Sequence, residues 1–201
     1  MSDEKNNISS IIFANNFYHL ITPSHNKLLG KTLDLHSNQH FKWGETCIVE
    51  KERIDPYSIL EILEPFTWQL MKEMGVSLEL QLTDVWRSTY YQGSFQEVHD
   101  HSLCALSAVI FLDDCNPEDG GRFYFKDRHH YELGAWAQLF NMDSHYVQYK
   151  KGDILFFPSY MMHGVTPYKS KSKTRQTISL NYSLGRTAPF SGSIFEELLN
   201  K

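Results

Sequence analysis

The sequence predicts an α+β domain in which helices come first and an antiparallel sandwich or barrel of short strands follows. Three observations predict it. Ile59, Ile62, Leu63, Phe66, Leu70 and Met74 recur at helical spacing before Gly75. Short strand-like runs broken by turn residues occupy the chain from Leu78 onward. Leu103–Leu112 is apolar at nearly every position. A run apolar on both alternate sets of positions is a strand covered on both faces, which places it at the centre of the sheet.

Taken in order, the polar residues 1–10 are expected to fray. Asp55-Pro56 supplies an N-cap with proline at the first helical position, and Gly75 stops the helix that follows. Pro65 lies inside that helix and lacks an N–H, so it is expected to kink or split it. The predicted strands are Glu79–Tyr91, Phe95–His101, Leu103–Leu112, Arg122–Phe125, Asp153–Phe157, Gly164–Pro167 and Arg175–Leu184, with Gly120-Gly121 and Lys151-Gly152 as turns. A chain of 201 residues that is 41% hydrophobic and 14% aromatic can bury one sizeable core. Without repeats, low-complexity tracts or linkers, residues 1–201 read as one domain, with residues 1–80 supporting a core at 84–185.

A formal charge of −5 and a pI near 6.0 argue against binding to nucleic acid or anionic membranes, which draws on clustered Lys and Arg. Cys47, Cys104 and Cys115 are odd in number and lack metal-ligand spacing, so Cys104, within its apolar run, reads as a reduced buried thiol. The polar N-terminus has no signal-peptide pattern, and no apolar run approaches the ~20 residues of a membrane helix. A soluble cytoplasmic protein is expected.

The chemistry concentrates in two segments. Gly93-Ser-Phe-Gln-Glu-Val-His99-Asp100-His101 ends one predicted strand, and Gly152-Asp-Ile-Leu-Phe-Phe-Pro158-Ser-Tyr-Met-Met-His163 contains another, with Arg175 following. Side chains two apart on a strand share a face, so His99 and His101 can reach one metal ion, with His163 arriving from a distant strand. Three imidazoles, or two with a carboxylate, suit Fe(II) or Zn(II) and leave coordination positions open. The bland alternative is a set of unrelated surface histidines, and the shared glycine and proline spacing weighs against it. His129 and His130 read as loop residues, and His19, His25, His36, His40 and His145 carry no spacing signal.

Arg175, Thr177, Ser179 and Asn181 alternate with Ile178, Leu180 and Tyr182. The polar set either faces water or lines a cavity in which Arg175 binds a carboxylate through two parallel hydrogen bonds and Thr177 adds a third. Proximity to His163 in sequence favours the cavity.

Together these residues resemble the Fe(II)- and 2-oxoglutarate-dependent dioxygenases, specifically the prolyl 4-hydroxylase-like branch. The resemblance lies in the order and spacing of Tyr90-x-x-Gly93, His99, Gly120-Gly121-Arg-Phe-Tyr-Phe125, Gly152-Asp153-Ile-Leu-Phe156, His163 and Arg175. It implies a double-stranded β-helix (a jelly-roll or cupin-like barrel) with supporting N-terminal helices. It further implies Fe(II) as metal, 2-oxoglutarate as cosubstrate with its far carboxylate on Arg175, and O2 as oxidant. The substrate would be a small molecule or a protein or peptide side chain. Tyr90 contacts the cosubstrate or is simply a packed strand aromatic.

One position departs from that family. Its carboxylate ligand, two residues after the first histidine, is replaced by His101 here. Asp100 is the only nearby acid, and an ideal strand points it the other way. Three readings follow: a three-histidine site, which we adopt; a bulge that brings Asp100 to the metal; or Asp100 as an acceptor for an imidazole N–H. The departure strengthens a resemblance to cupins, whose Gly-x5-His-x-His motif matches Gly93 to His101. Leu106 and Ala105 stand where that motif's glutamate would be, however, and Arg175 has no place in it. A cupin-type dioxygenase or isomerase without 2-oxoglutarate, and a non-catalytic binding module on the same barrel, are the competing readings. Lys169, Lys171 and Lys173 read as a solvated loop, or else as a lid or an attraction for an acidic substrate. Tyr90, Tyr91, Phe123, Phe125 and Tyr160 line a pocket or pack in the core.

Overall fold

The computed structural model describes residues 7–13, 16–21, 35, 39–42, 48–75, 79–101, 103–127 and 144–185. Before the helix come β1 (Asn7–Phe13), β2 (Asn16–Ile21), β3 (His40–Phe41) and β4 (Glu50–Ile54). Helix α1 (Tyr57–Met74) is followed by β5 (Leu80–Tyr90), β6 (Gln96–His99), β7 (Leu106–Phe111) and β8 (Phe123–Lys126). The chain continues through β9 (Ser144–Tyr146), β10 (Ile154–Pro158), β11 (His163–Val165) and β12 (Arg175–Leu184). An eight-stranded sheet has the order β1-β2-β10-β7-β12-β5-β4-β3, and a four-stranded sheet has the order β6-β11-β8-β9. Every ladder is antiparallel, and the two sheets form a double-stranded β-helix.

At the centre of the eight-stranded sheet, β7 and β10 are buried on both faces, as the apolar run predicted for β7. Leu106, Ala108 and Ile110 of β7, Ile154 and Phe156 of β10, and Ile178, Leu180 and Tyr182 of β12 pack with Ile59, Leu63 and Leu70 of α1. The alternate residues Val109, Phe111, Leu155 and Phe157 point inward and pack with Phe123, Phe125 and Val165 of the smaller sheet. Each fully buried Leu, Ile or Phe contributes about 1.5–3 kcal/mol of transfer free energy, so these two layers fix the register of β7, β10 and β12.

Helix α1 begins where expected, with the Tyr57 N–H donating to the Asp55 carboxylate at 3.2 Å, and ends at Gly75 with φ 67°. The expected break at Pro65 does not occur, and the helix runs through it. Pro65 and Glu61, whose carbonyl loses its donor, both lie on the exposed face, where that carbonyl is open to solvent. The N-terminal region also differs from the expectation of fraying followed by several helices. Asn7–Phe13 pairs with Asn16–Ile21, and the described elements before β5 are four strands and one helix. Cys104 is half-buried in the turn before β7, because the strand starts at Leu106 and leaves Leu103–Ala105 outside it. Cys47, His129 and His130 lie outside the described residues.

Candidate metal centre

Strands β6 and β11 are neighbours in the smaller sheet, and His99 is the cross-strand partner of His163. β6 ends at His99, so His101 is delivered by the segment beyond it rather than by the strand itself. That segment is pinned where the His101 N–H donates to the Ser159 carbonyl at 2.8 Å, just past β10. The three imidazole centroids are 4.4 to 5.1 Å apart, and one ring nitrogen from each lies within 4.8 Å of the others. Among the described residues these three side chains form the one such group, and the Asp100 carboxylate is not part of it.

The hydrogen bonds define which nitrogen each ring presents. His99 Nδ1 lies 2.8 Å from the Glu97 carbonyl, His163 Nδ1 2.9 Å from the Met161 carbonyl, and His101 Nδ1 2.7 Å from Asn181 Oδ1. A carbonyl oxygen only accepts, so each Nδ1 carries the hydrogen and each Nε2 presents its lone pair. Burial lowers the pKa of His99 to about 4, against the Glu97 hydrogen bond and helped by the nearby His101 and Lys51 charges. Burial likewise lowers His101, and drives His163 well below its ordinary value. Three neutral imidazoles with converging Nε2 atoms are a donor set suited to a divalent first-row metal.

The polar residues Arg175, Thr177 and Ser179 of β12 line a cavity and do not face water. Arg175 and Thr177 are buried and line one cavity with His99, His101, His163 and Tyr90. The Arg175 Nε–H donates to the Tyr149 hydroxyl at 3.1 Å, and its guanidinium lies 4.8 Å from the Tyr90 ring centroid. Its two terminal nitrogens are buried with no hydrogen-bond partner among the described residues. Burial works against the charge, and the neighbouring Tyr149 and Tyr90 outweigh it, so the pKa of Arg175 is raised. Tyr149 is itself held by stacking on Phe111 at a centroid distance of 3.5 Å. A buried guanidinium whose two terminal nitrogens meet no acceptor among the described residues is suited to a carboxylate.

The Gly120-Gly121 turn serves this arginine. A Cβ on Gly121 would lie 2.8 Å from Arg175 Cδ and 2.9 Å from the Tyr168 ring, and its φ of 61° is a conformation side chains rarely adopt. Of the aromatic residues singled out, Tyr90 and Phe123 line the cavity and Phe125 is core, whereas Tyr91 and Tyr160 are about half exposed. Lys169, Lys171 and Lys173 are exposed.

Several site residues escaped the sequence reading. Lys51 of β4 is 2% exposed, lines the cavity and lies 5.7 Å from the Trp86 ring. Its strand is dominated by charged residues, so alternation gave no signal. Ser107, the one polar side chain within Leu106–Phe111, was legible as an exception in an apolar run. Tyr149 carried no motif.

The fold and site define a class of protein: a double-stranded β-helix whose cavity brings three imidazoles that could hold a metal ion together with a buried arginine. Residues 84–181 match the family model described as "Putative 2OG-Fe(II) oxygenase". By that match, the segment 84–181 is a domain of the 2OG-Fe(II) oxygenases, enzymes that use Fe(II), 2-oxoglutarate and O2. No curated protein matches it by sequence. Among solved structures it is similar to an oxidoreductase of the 2OG-Fe(II) oxygenase family from Burkholderia pseudomallei. The identity is 15% and the TM-score 0.61, over 83% of this chain and 84% of that one. HygX from Streptomyces hygroscopicus, with nickel and 2-oxoglutarate bound, is 17% identical with a TM-score of 0.59, over 86% and 84% of the two chains. A Pseudomonas putida prolyl-4-hydroxylase is 17% identical with a TM-score of 0.57, over 85% and 94%.

Proposed function

We propose that His99, His101 and His163 hold the iron through their Nε2 atoms and that Arg175, with Thr177 and Tyr90, binds 2-oxoglutarate, in a hydroxylase of a protein side chain or a small molecule. The observation that carries this reading is the buried Arg175 guanidinium, whose two unengaged terminal nitrogens open into the same cavity as the three imidazoles. When bound, the iron couples oxidative decarboxylation of 2-oxoglutarate by O2, giving succinate and CO2, to oxidation of the substrate.

The protein's own contribution is positioning. Arg175 takes the far carboxylate through two parallel hydrogen bonds, Tyr149 keeps the guanidinium from rotating, and Thr177 offers a hydroxyl one strand repeat away. Tyr90 covers the guanidinium face and excludes water from it. Desolvation lowers the pKa of half-buried His99 and of buried His101 and His163, so the neutral rings keep their Nε2 atoms available at physiological pH. The absence of a carboxylate from the cluster favours a ligand set that is neutral throughout.

The cupin-type reading draws on His101, and Arg175 weighs against it because that chemistry has no need of an internal carboxylate receptor. We place the enzyme in the reducing cytoplasm, where free Cys104 and Cys115 persist as thiols. Among the described residues no helix is long and apolar enough to cross a membrane. The test is anaerobic titration of Fe(II)-loaded protein with 2-oxoglutarate, followed by admission of O2 and assay of succinate. Failure to bind 2-oxoglutarate in the metal-loaded protein would refute the assignment.

A further inference from the structure

The three imidazoles are oriented by two different devices. His99 and His163 each donate Nδ1–H to the backbone carbonyl two residues earlier in their own segment, Glu97 and Met161. Such a partner is the same for any sequence. His101 donates to a side chain 80 residues away, Asn181 on β12. That side chain is in turn fixed: Ser107 Oγ donates to Asn181 Oδ1 at 2.9 Å and lies 2.9 Å from Ser159 Oγ. Ser107 and Asn181 are cross-strand partners on β7 and β12, and Ser159 contributes the carbonyl that pins the His101 backbone. All three residues are buried, at 1%, 6% and 0% exposure. The β12–β5 register shifts between Asn181 and Tyr182, a local irregularity of the kind that re-aims a side chain.

We propose that Asn181, held by Ser107, is the positioning residue for His101: it fixes the ring in the Nδ1–H tautomer and aims Nε2 at the metal, so that this polar triad takes the place of the orientation a carboxylate ligand would supply. The proposal rests on the metal assignment above. Its physical basis is that an imidazole can present a lone pair from either nitrogen, and the acceptor on the far side decides which one. A fully buried ring that lost this acceptor would place its hydrogen on whichever nitrogen found a partner. Ser107 Oγ lies 3.2 Å from the same Nδ1, and once Asn181 no longer takes its hydrogen it can donate to that nitrogen and drive the ring's proton to Nε2.

The test compares Asn181→Leu, Asn181→Asp and Ser107→Ala with the unmodified protein. One measurement is the tautomer of each histidine in metal-free protein at pH 8, from nitrogen–proton correlation of the rings. The other is Zn(II) affinity by competition with a chelator. Asn181→Leu should move His101 off the pure Nδ1–H form, leave His99 and His163 unchanged, and weaken Zn(II) by about 10–100-fold. Asn181→Asp retains an acceptor and should restore both the tautomer and an affinity within severalfold of the original. A merely structural role for Asn181 would not move one histidine's tautomer and spare the other two.

If Asn181→Leu does not fold, Ser107→Ala carries the test. It frees the amide to rotate, and should give a mixed His101 tautomer and a severalfold loss of affinity. Unchanged His101 tautomer and Zn(II) affinity in folded Asn181→Leu, or in Ser107→Ala where the former does not fold, would overturn the proposal. Failure of the underlying metal assignment shows itself differently: His99→Ala and His163→Ala would then leave Zn(II) affinity intact while the tautomer measurement still reported on Asn181.

Discussion

Replacing Arg175 should change two properties in opposite directions. Its Nε is engaged by Tyr149, and its terminal nitrogens have no protein acceptor among the described residues, so in the absence of cosubstrate the protein carries a buried cation that is only partly satisfied. Each charge-assisted hydrogen bond to a carboxylate contributes about 1.5–3 kcal/mol, and some of the pair is offset by desolvating the anion. The expected loss on Arg175→Met is therefore about 2–4 kcal/mol of 2-oxoglutarate binding, or roughly 30–1,000-fold in Kd. The same substitution removes two buried, unsatisfied donors and should stabilise the cosubstrate-free fold by about 1–3 kcal/mol. Arg175→Lys retains the charge without the planar fork and should fall between the two in affinity. Calorimetric titration of metal-loaded, anaerobic protein gives the first quantity, and denaturant unfolding without cosubstrate gives the second. Unaltered Kd in Arg175→Met would refute the carboxylate assignment. Loss of affinity accompanied by a less stable fold would show that the arginine is a structural element.

Further outcomes follow from the same geometry. His99→Ala and His163→Ala should each abolish stoichiometric Fe(II) binding, read by metal analysis after desalting, and retained metal in both would remove the centre from these residues. His101→Ala should lose metal severely whereas Asp100→Ala should cost no more than about 10–100-fold; the reverse ranking would make Asp100 the ligand. Metal-free protein should lose stability on acidification, because half-buried, partly desolvated His99 is neutral in the fold while the unfolded chain takes up its proton. The native pKa is depressed to about 4, so the contribution is complete above the unfolded value near 6.5 and is lost between 6.5 and 4, about 3 kcal/mol in all. Denaturant midpoints at pH 7.5 and pH 4.5 should therefore converge in His99→Gln relative to the unmodified protein, and an identical pH slope would exclude His99 as the cause. Gly121→Ala should weaken 2-oxoglutarate binding without loss of metal, since the added methyl group displaces Arg175, and equal cosubstrate affinity would count against that contact.

Much of the core was legible because its constraints are local and periodic. Arg175–Leu184 alternates cleanly, so its boundaries match the observed strand, and the doubly covered β7 showed itself as an unbroken apolar run. The histidine pair was legible for a partly different reason from the one given: His99 and His101 meet although the strand ends between them, because Ser159 holds the segment that follows. Pro65 does not split the helix because its cost depends on which face it occupies, and periodicity placed the apolar side without weighing where the lost hydrogen bond would point. Lys51, Tyr149 and the Ser107–Asn181 pair were hidden because their roles arise from long-range pairing. No spacing rule connects Lys51 to Ser88 or Asn181 to His101 before the register of the large sheet is known.

The cavity's described lining contains two cationic side chains, Lys51 and Arg175, three uncharged imidazoles, and no Asp or Glu. Adding a divalent metal to such a wall raises its positive potential, and a dianionic 2-oxo acid lowers it again, so the two occupants depend on each other through charge as well as through direct contact. By linkage, the factor by which the acid tightens the metal equals the factor by which the metal tightens the acid. Metal titrations with and without 2-oxoglutarate would measure that factor, and a value of one would mean the wall's charge is balanced from elsewhere. With a factor well above one, the two occupants load together, and the supply of either sets the occupancy of both.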